Sequence, residues 1–353
     1  MRSDTCRYAI ISGTSMSTPL TASALALFKS AKGKKETPAE LRAIFTTTAV
    51  PVNFNSTTNI LDSVARQGGG NMRVDLAIAS TTRVFPDFHA LNDTDYFNGT
   101  QTFTFSNVGP KTQHLSFEHL PAGTIYACNG SDAMAIVRGP ITPVNSAQAS
   151  VSYSPATATV APGERTTITV TYKAPQVDPK LCAMYSGFTR VKSDDVNGGL
   201  TVPYLGFAAS LRKMPTTLVQ GEGKDKTPSL QDPKTNLTIA EGAVFSLKDA
   251  QQQPIVQYGL NVGTRLLTVD LVHANDNAQT LYATLGNFTN QARSRYDVIG
   301  LPITPTYTDS QNVTRPIADG EYRVRVRSLR LRGDANKADD FDSYLSPKFI
   351  IKV

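Results

Sequence analysis

The pattern of apolar and polar positions changes character near residue 84. Before it, Ala22, Ala24, Leu25, Ala26, Leu27 and Phe28 make Leu20 to Ser30 apolar almost all round, which predicts a buried helix. A short apolar run predicts a strand over Tyr8 to Ile11 ahead of it. Thr37, Pro38 and Glu40 predict a second helix reaching about Thr47: a capping threonine, a proline in the first turn and a glutamate three residues on satisfy its free backbone donors. After the turn Gly68, Gly69, Gly70, a third helix is expected over Arg73 to Ser80. Three helices and a strand hold too little sheet to cover a helix that is apolar all round.

Beyond Val84 the period becomes two. Phe103 and Phe105 alternate with threonines, as do Ile168, Val170 and Tyr172, so these are half-buried strands. Turn residues at Asn107, Gly109 and Pro110, and again at Pro162 and Gly163, space them as in an antiparallel sandwich. That sandwich closes near Val202 to Ala209, and a boundary falls around Leu211 to Pro215. Alternation then resumes in Leu267, Val269 and Leu271, and in Tyr322, Val324 and Val326 with Arg323, Arg325 and Arg327 facing the other way. The fold class expected is mixed: an incomplete α/β segment of three helices and a strand over 1–82, then two mainly antiparallel β-sandwich domains over 83–211 and 212–353.

Between the strand and the first helix stands Ser12, Gly13, Thr14, Ser15, Met16, Ser17, Thr18, Pro19. This segment resembles the nucleophile signature of the subtilisin-like serine proteases. PAELRAIFTTTA and QGGGNMRVDLAIA follow in the order found in that family, so the resemblance covers roughly residues 8 to 80. VAPGERTTITVTYKAP and GGLTVPYLGFAAS resemble strands of the fibronectin type III-like extensions of its larger members. The resemblance implies an endopeptidase acting on protein or peptide substrates, with Ser15 as nucleophile, Gly13 allowing a sharp turn, and Gly13 and Thr14 supporting the oxyanion site. After the proline the family commonly has His-Val-Ala-Gly, where this chain has Leu20, Thr21, Ala22 and Ser23. Pro19 is expected in or near the first helical turn, where its missing donor costs little.

A serine hydroxyl needs a histidine within reach, oriented by a carboxylate. Subtilisin-like proteases order these Asp, His, Ser along the chain. Asp4 is the only acidic residue before Ser15, and the four histidines, His89, His114, His119 and His273, all follow it. The expectation is an amino-terminal catalytic half absent from this sequence, and no turnover by this chain alone. The alternative is a secreted, non-catalytic binding or adhesion protein with a relic protease segment.

Seven Asn-x-Ser/Thr triplets begin at Asn55, Asn92, Asn98, Asn129, Asn236, Asn287 and Asn312, against about three expected by chance. They are candidate glycosylation sites and point to secretion. Of the three cysteines, Cys128 and Cys182 are candidates for a bridge, and Cys6 is left over as either a packed thiol or the partner of a missing one. The net charge of +6 comes from scattered basic residues with no tryptophan among them, which speaks against nucleic acid as a partner. No apolar run approaches the roughly 20 residues of a membrane span, and no cofactor or metal site is expected. Arg332, Gly333 and Asp334 form an integrin-type tripeptide read here as chance. Asp334, Asp339, Asp340 and Asp342 lack EF-hand spacing and are read as an acidic surface loop.

Overall fold

The computed structural model of the chain describes residues 11–352 except 34, 133, 138, 196–198, 218–226, 276–277 and 295–297. It is mainly β, with four α-helices near the amino-terminal end: α1 Thr14–Lys32, α2 Pro38–Thr47, α3 Val64–Gln67 and α4 Val74–Ala79. The chain divides into two compact units, Met1–Ala127 with Gly139–Ala208, and Cys128–Arg138 with Ala209–Val353.

In the first unit the helices stand against a sandwich. One sheet has the order β1–β3–β7–β5, formed by Thr82–Phe85, Thr100–Asn107, Arg165–Lys173 and Ser150–Ser154. The other runs β2–β9–β8–β4–β6, formed by His89–Asn92, Leu200–Phe207, Ala183–Lys192, Gln113–Tyr126 and Thr157–Val160. All pairings are antiparallel except β2 with β9. Phe103, Phe105, Ile168, Val170, Tyr172, Val202 and Tyr204 meet in the core, on the alternation read from the sequence.

The capping box forms as expected: Glu40 N–H donates to Thr37 Oγ1 at 3.3 Å, and Thr37 N–H to Glu40 Oε2 at 2.8 Å. Leu41, Ala43 and Ile44 of α2 are thereby turned inward. Arg42, on the outer face, makes a fork of bonds of 2.9 Å each to the buried carboxylate of Asp87. The short α3, which carries no periodic signal, is capped by Ser63 and held by Ser186 of β8, whose hydroxyl accepts from Val64 N–H at 3.1 Å.

The expectation for α1 is overturned. Only Ala24 and Phe28 are buried in it, while Leu20 is 67% and Leu27 54% exposed. Phe28 packs edge-on to Phe45 of α2 at 5.7 Å, and one face of α1 meets α2 and α4. The residues on its remaining faces are exposed, so a largely apolar composition is met by one-sided packing. The strand expected over Tyr8–Ile11 lies, apart from the exposed, non-strand Ile11, outside the described residues.

Where α4 hands over to β1, the half-buried carboxylate of Asp195 accepts from Thr81 N–H and Oγ1 at 2.6 Å each, Thr82 N–H at 2.8 Å and Ser80 Oγ at 3.1 Å. Burial pushes this carboxyl upward, but those donors hold it below the ordinary carboxylate range. Asp195→Ala leaves the donors unmet and is expected to lower the stability of this unit by about 2 kcal/mol, the low side for bonds to a charged acceptor because the group is partly solvated. A folded pKa below the unfolded value means the contribution is present above the unfolded carboxylate value near 4 and vanishes as pH falls through the folded one. Chemical denaturation at neutral pH and near pH 3 measures both, and an unchanged midpoint for the alanine variant at neutral pH counts against the clamp.

The second unit is built on the sheet β11–β20–β18–β13–β14, formed by Ala243–Phe245, Phe349–Ile351, Gly320–Leu329, Thr264–His273 and Leu281–Gln291, with β19, Phe341–Leu345, beside β18. A smaller sheet joins β10 Ser229–Gln231, β12 Ile255–Tyr258 and β15 Ile299–Pro302, and β16 Thr306–Thr308 pairs with β17 Thr314–Pro316. Leu267, Val269, Leu271, Tyr322, Val324 and Val326 fill the core. The arginines between them are ion-paired: Arg323 with Glu241 at 3.0 Å, and Arg325 and Arg327 with the buried Asp270 at 3.1 and 3.5 Å. Asn261 secures the 128–138 segment in this unit, donating to Met134 O and accepting from Ile136 N–H, both at 3.2 Å.

Candidate active site

The helix that carries the signature begins at Thr14, several residues before the apolar run. Serine and threonine hydroxyls line its first turns and fold back on the backbone: Thr18 Oγ1 donates to Thr14 O at 2.8 Å, Thr21 Oγ1 to Ser17 O at 3.0 Å and Ser17 Oγ to Gly13 O at 3.4 Å. Ser15 does not join this pattern. It is the second helical residue and is exposed, at the positive end of a 19-residue helix.

Gly13 is the N-cap in extended backbone, and an added Cβ there would meet only Met16 Sδ at 3.6 Å. The turn closes instead through Met16 N–H and Ser17 N–H, which donate to Gly13 O at 3.0 and 3.2 Å. Pro19 is the sixth helical residue rather than part of the first turn. Lacking an N–H, it cannot pair with Ser15 O, which an α-helix would otherwise use. Between α1, α2 and the glycine turn lies an apolar groove of about 740 Å³, with Leu25, Leu41, Phe45 and Met72 in its wall. Gly70 in its floor has φ +113° and lies where a Cβ would come within 2.3 Å of Val50 O, so only glycine fits.

The histidines of this unit are engaged elsewhere. His89 is fully buried, its Nδ1 2.9 Å from Tyr172 OH and its Nε2 3.3 Å from Thr102 O. His119 Nε2 lies 2.8 Å from Tyr204 OH. His114 Nδ1 is 2.8 Å from Asp194, with both side chains solvated, and this bond is the main reason the Asp194 carboxyl sits below its ordinary range. A period of two in His89 and Leu91, both inward, is the signal that would have placed His89 in the core.

The other candidate residues are scattered over the surface or tied into structure. All seven acceptor asparagines, Asn55, Asn92, Asn98, Asn129, Asn236, Asn287 and Asn312, are exposed. Cys128 and Cys182 are buried and disulfide-bonded, whereas Cys6 lies outside the described residues. Gly333 is buried, and Asp334 is turned into its own loop, with its N–H donating to Asp340. Asp340 also pairs with Arg212, and Asp342 with Arg330 at 2.7 Å.

The family model described as the subtilase family matches residues 2–114, and one described as an Fn3-like domain matches residues 89–205. No curated protein matches the chain. Among solved structures, the human CEP192 ASH / PapD-like domain is similar at 10% identity and TM-score 0.26, over 37% of this chain and 87% of that one. The CupB2 chaperone of Pseudomonas aeruginosa is similar at 10% identity and TM-score 0.23, over 75% and 99%. The E. coli chaperone DraB is similar at 9% identity and TM-score 0.23, over 78% and 97%. Residues 2–114 are thus similar to the subtilase family, and residues 89–205 to an Fn3-like domain.

Proposed function

We propose that Ser15 is the nucleophile of a secreted subtilisin-like endopeptidase whose aspartate and histidine are supplied by a segment outside this sequence. The observation that carries this reading is the position of Ser15: exposed, in the first turn of α1, within the subtilase match. A hydroxyl there can be approached by an imidazole, and the positive end of α1 can help receive the oxyanion of a tetrahedral intermediate. Peptide hydrolysis then runs through acylation of Ser15 Oγ with loss of the amine, followed by attack of water on the ester. Exposed apolar side chains on α1, Leu20 and Leu27, supply a face for the same segment. Passage through an oxidising secretory compartment is supported by the disulfide-bonded cysteines and the exposed sequons.

Among the described residues no histidine or carboxylate is hydrogen-bonded to Ser15, and treatment of the isolated chain with a fluorophosphonate is expected to leave Ser15 unlabelled. Stoichiometric labelling of the isolated chain overturns the claim of inactivity. Failure to label Ser15 after co-expression with a subtilase segment bearing the aspartate and histidine overturns the nucleophile assignment. The non-catalytic alternative draws on the two filled sandwich cores, which need no catalysis to be retained. It predicts an inert mixture in that same co-expression.

A further inference from the structure

We propose that Asn287 carries an N-linked glycan that guards the free edge of β14. This rests on the secretory reading above. Among the described residues β14 pairs only with β13, which makes it an edge strand of 11 residues. The other edges of this unit are short: β10 and β11 have three residues each, β15 has four and ends in proline, and β19 has five, among them Asp342. Short length, charge and proline are the usual defences of an edge against pairing with another chain. The sequence of β14, LYATLGNFTNQ, contains neither a charge nor a proline.

Half of β14 is protected in another way. Register shifts interrupt its pairing opposite Val269/Asp270 and Leu271/Val272, and Tyr282 packs against Tyr307 of β16 at 5.8 Å. The remaining half is regular, with Gly286, Asn287, Phe288 and Thr289 opposite Val269, Thr268, Leu267 and Leu266. This is where the sequon lies. Phe288 faces the core with Leu267, so Asn287 and Thr289 both project from the outer face, and both are exposed. An oligosaccharide on Asn287 excludes a second strand from the regular half.

The transfer needs a polyisoprenyl-diphosphate-linked oligosaccharide as co-reactant. Asn287 Nδ2 forms a bond to the sugar C1 while the bond from C1 to the diphosphate oxygen breaks. The amide loses one proton, and the polyisoprenyl diphosphate leaves with the bonding pair.

Glycopeptide mass spectrometry of native material is expected to find Asn287 occupied. Bare acceptors at every sequon overturn the secretory reading, whereas a bare Asn287 beside occupied sites overturns this inference alone. In a secretory host, Asn287→Gln and Thr289→Ala are expected to raise the oligomer fraction severalfold by light scattering, and Asn287→Lys, which puts a charge on the edge without a glycan, to return it to the wild-type level. Monomeric Asn287→Gln and Thr289→Ala, or an Asn287→Lys variant that self-associates as they do, overturns the guarding role.

Discussion

Ser15→Ala is expected to lower kcat by about 10⁶ in an enzyme assembled from this chain and a segment carrying the aspartate and histidine, the scale on which subtilisin itself loses activity without its nucleophile. The substitution is clean. Ser15 is exposed, and the bonds that close the turn run from Met16 and Ser17 to Gly13 O. Substrate binding therefore survives, so KM stays within a few-fold while kcat collapses to what binding and oxyanion stabilisation alone supply. Thr18→Ala and Thr21→Ala are the controls, since each removes a hydroxyl that serves only a backbone carbonyl in the same helix. Retention of cleavage by the Ser15→Ala assembly removes the nucleophile from this position.

That expectation starts from a motif legible in eight consecutive residues, and the same is true of α2, where cap, proline and glutamate are local. The alternating strands were legible for a similar reason: Ile168, Val170 and Tyr172 face one core because a strand has a period of two. The extent of α1 was not, because its first turns are made of residues with weak helix preference whose hydroxyls fold back on the i−4 carbonyls. Its burial was misread for a different reason: composition reports what a face could bury, and whether an element arrives to cover it is a tertiary matter. Asp195 and Arg42 escaped notice because their partners lie more than a hundred and some forty residues away, with no local pattern to announce them. Segment 128–138 likewise joins the second unit through Asn261, far along the chain.

The stability of the first unit is expected to fall by about 3 kcal/mol between pH 6.5 and pH 4, mainly through His89. Its ring stacks on Phe103 at 3.9 Å and is enclosed by the core, and burial pushes its pKa down to about 4. Thr102 O can only accept, so the neutral ring carries its proton on Nε2, and Nδ1 accepts the Tyr172 hydroxyl proton. Protonation of Nδ1 breaks that arrangement and places a charge in the core. Stacking on Phe103 returns only about 1 kcal/mol. With the folded value below the unfolded one, the unfolded chain binds the extra proton first, so stability is intact above pH 6.5 and drains away as pH falls through 4. His119, also lowered by burial, acts in the same direction, while the depressed carboxylates of Asp194 and Asp195 titrate below this window. Urea denaturation of wild type and His89→Gln across pH 7 to 4 separates the contributions. The glutamine variant starts less stable and is expected to lose most of the slope, and an equal slope in both proteins moves the acid sensitivity away from His89.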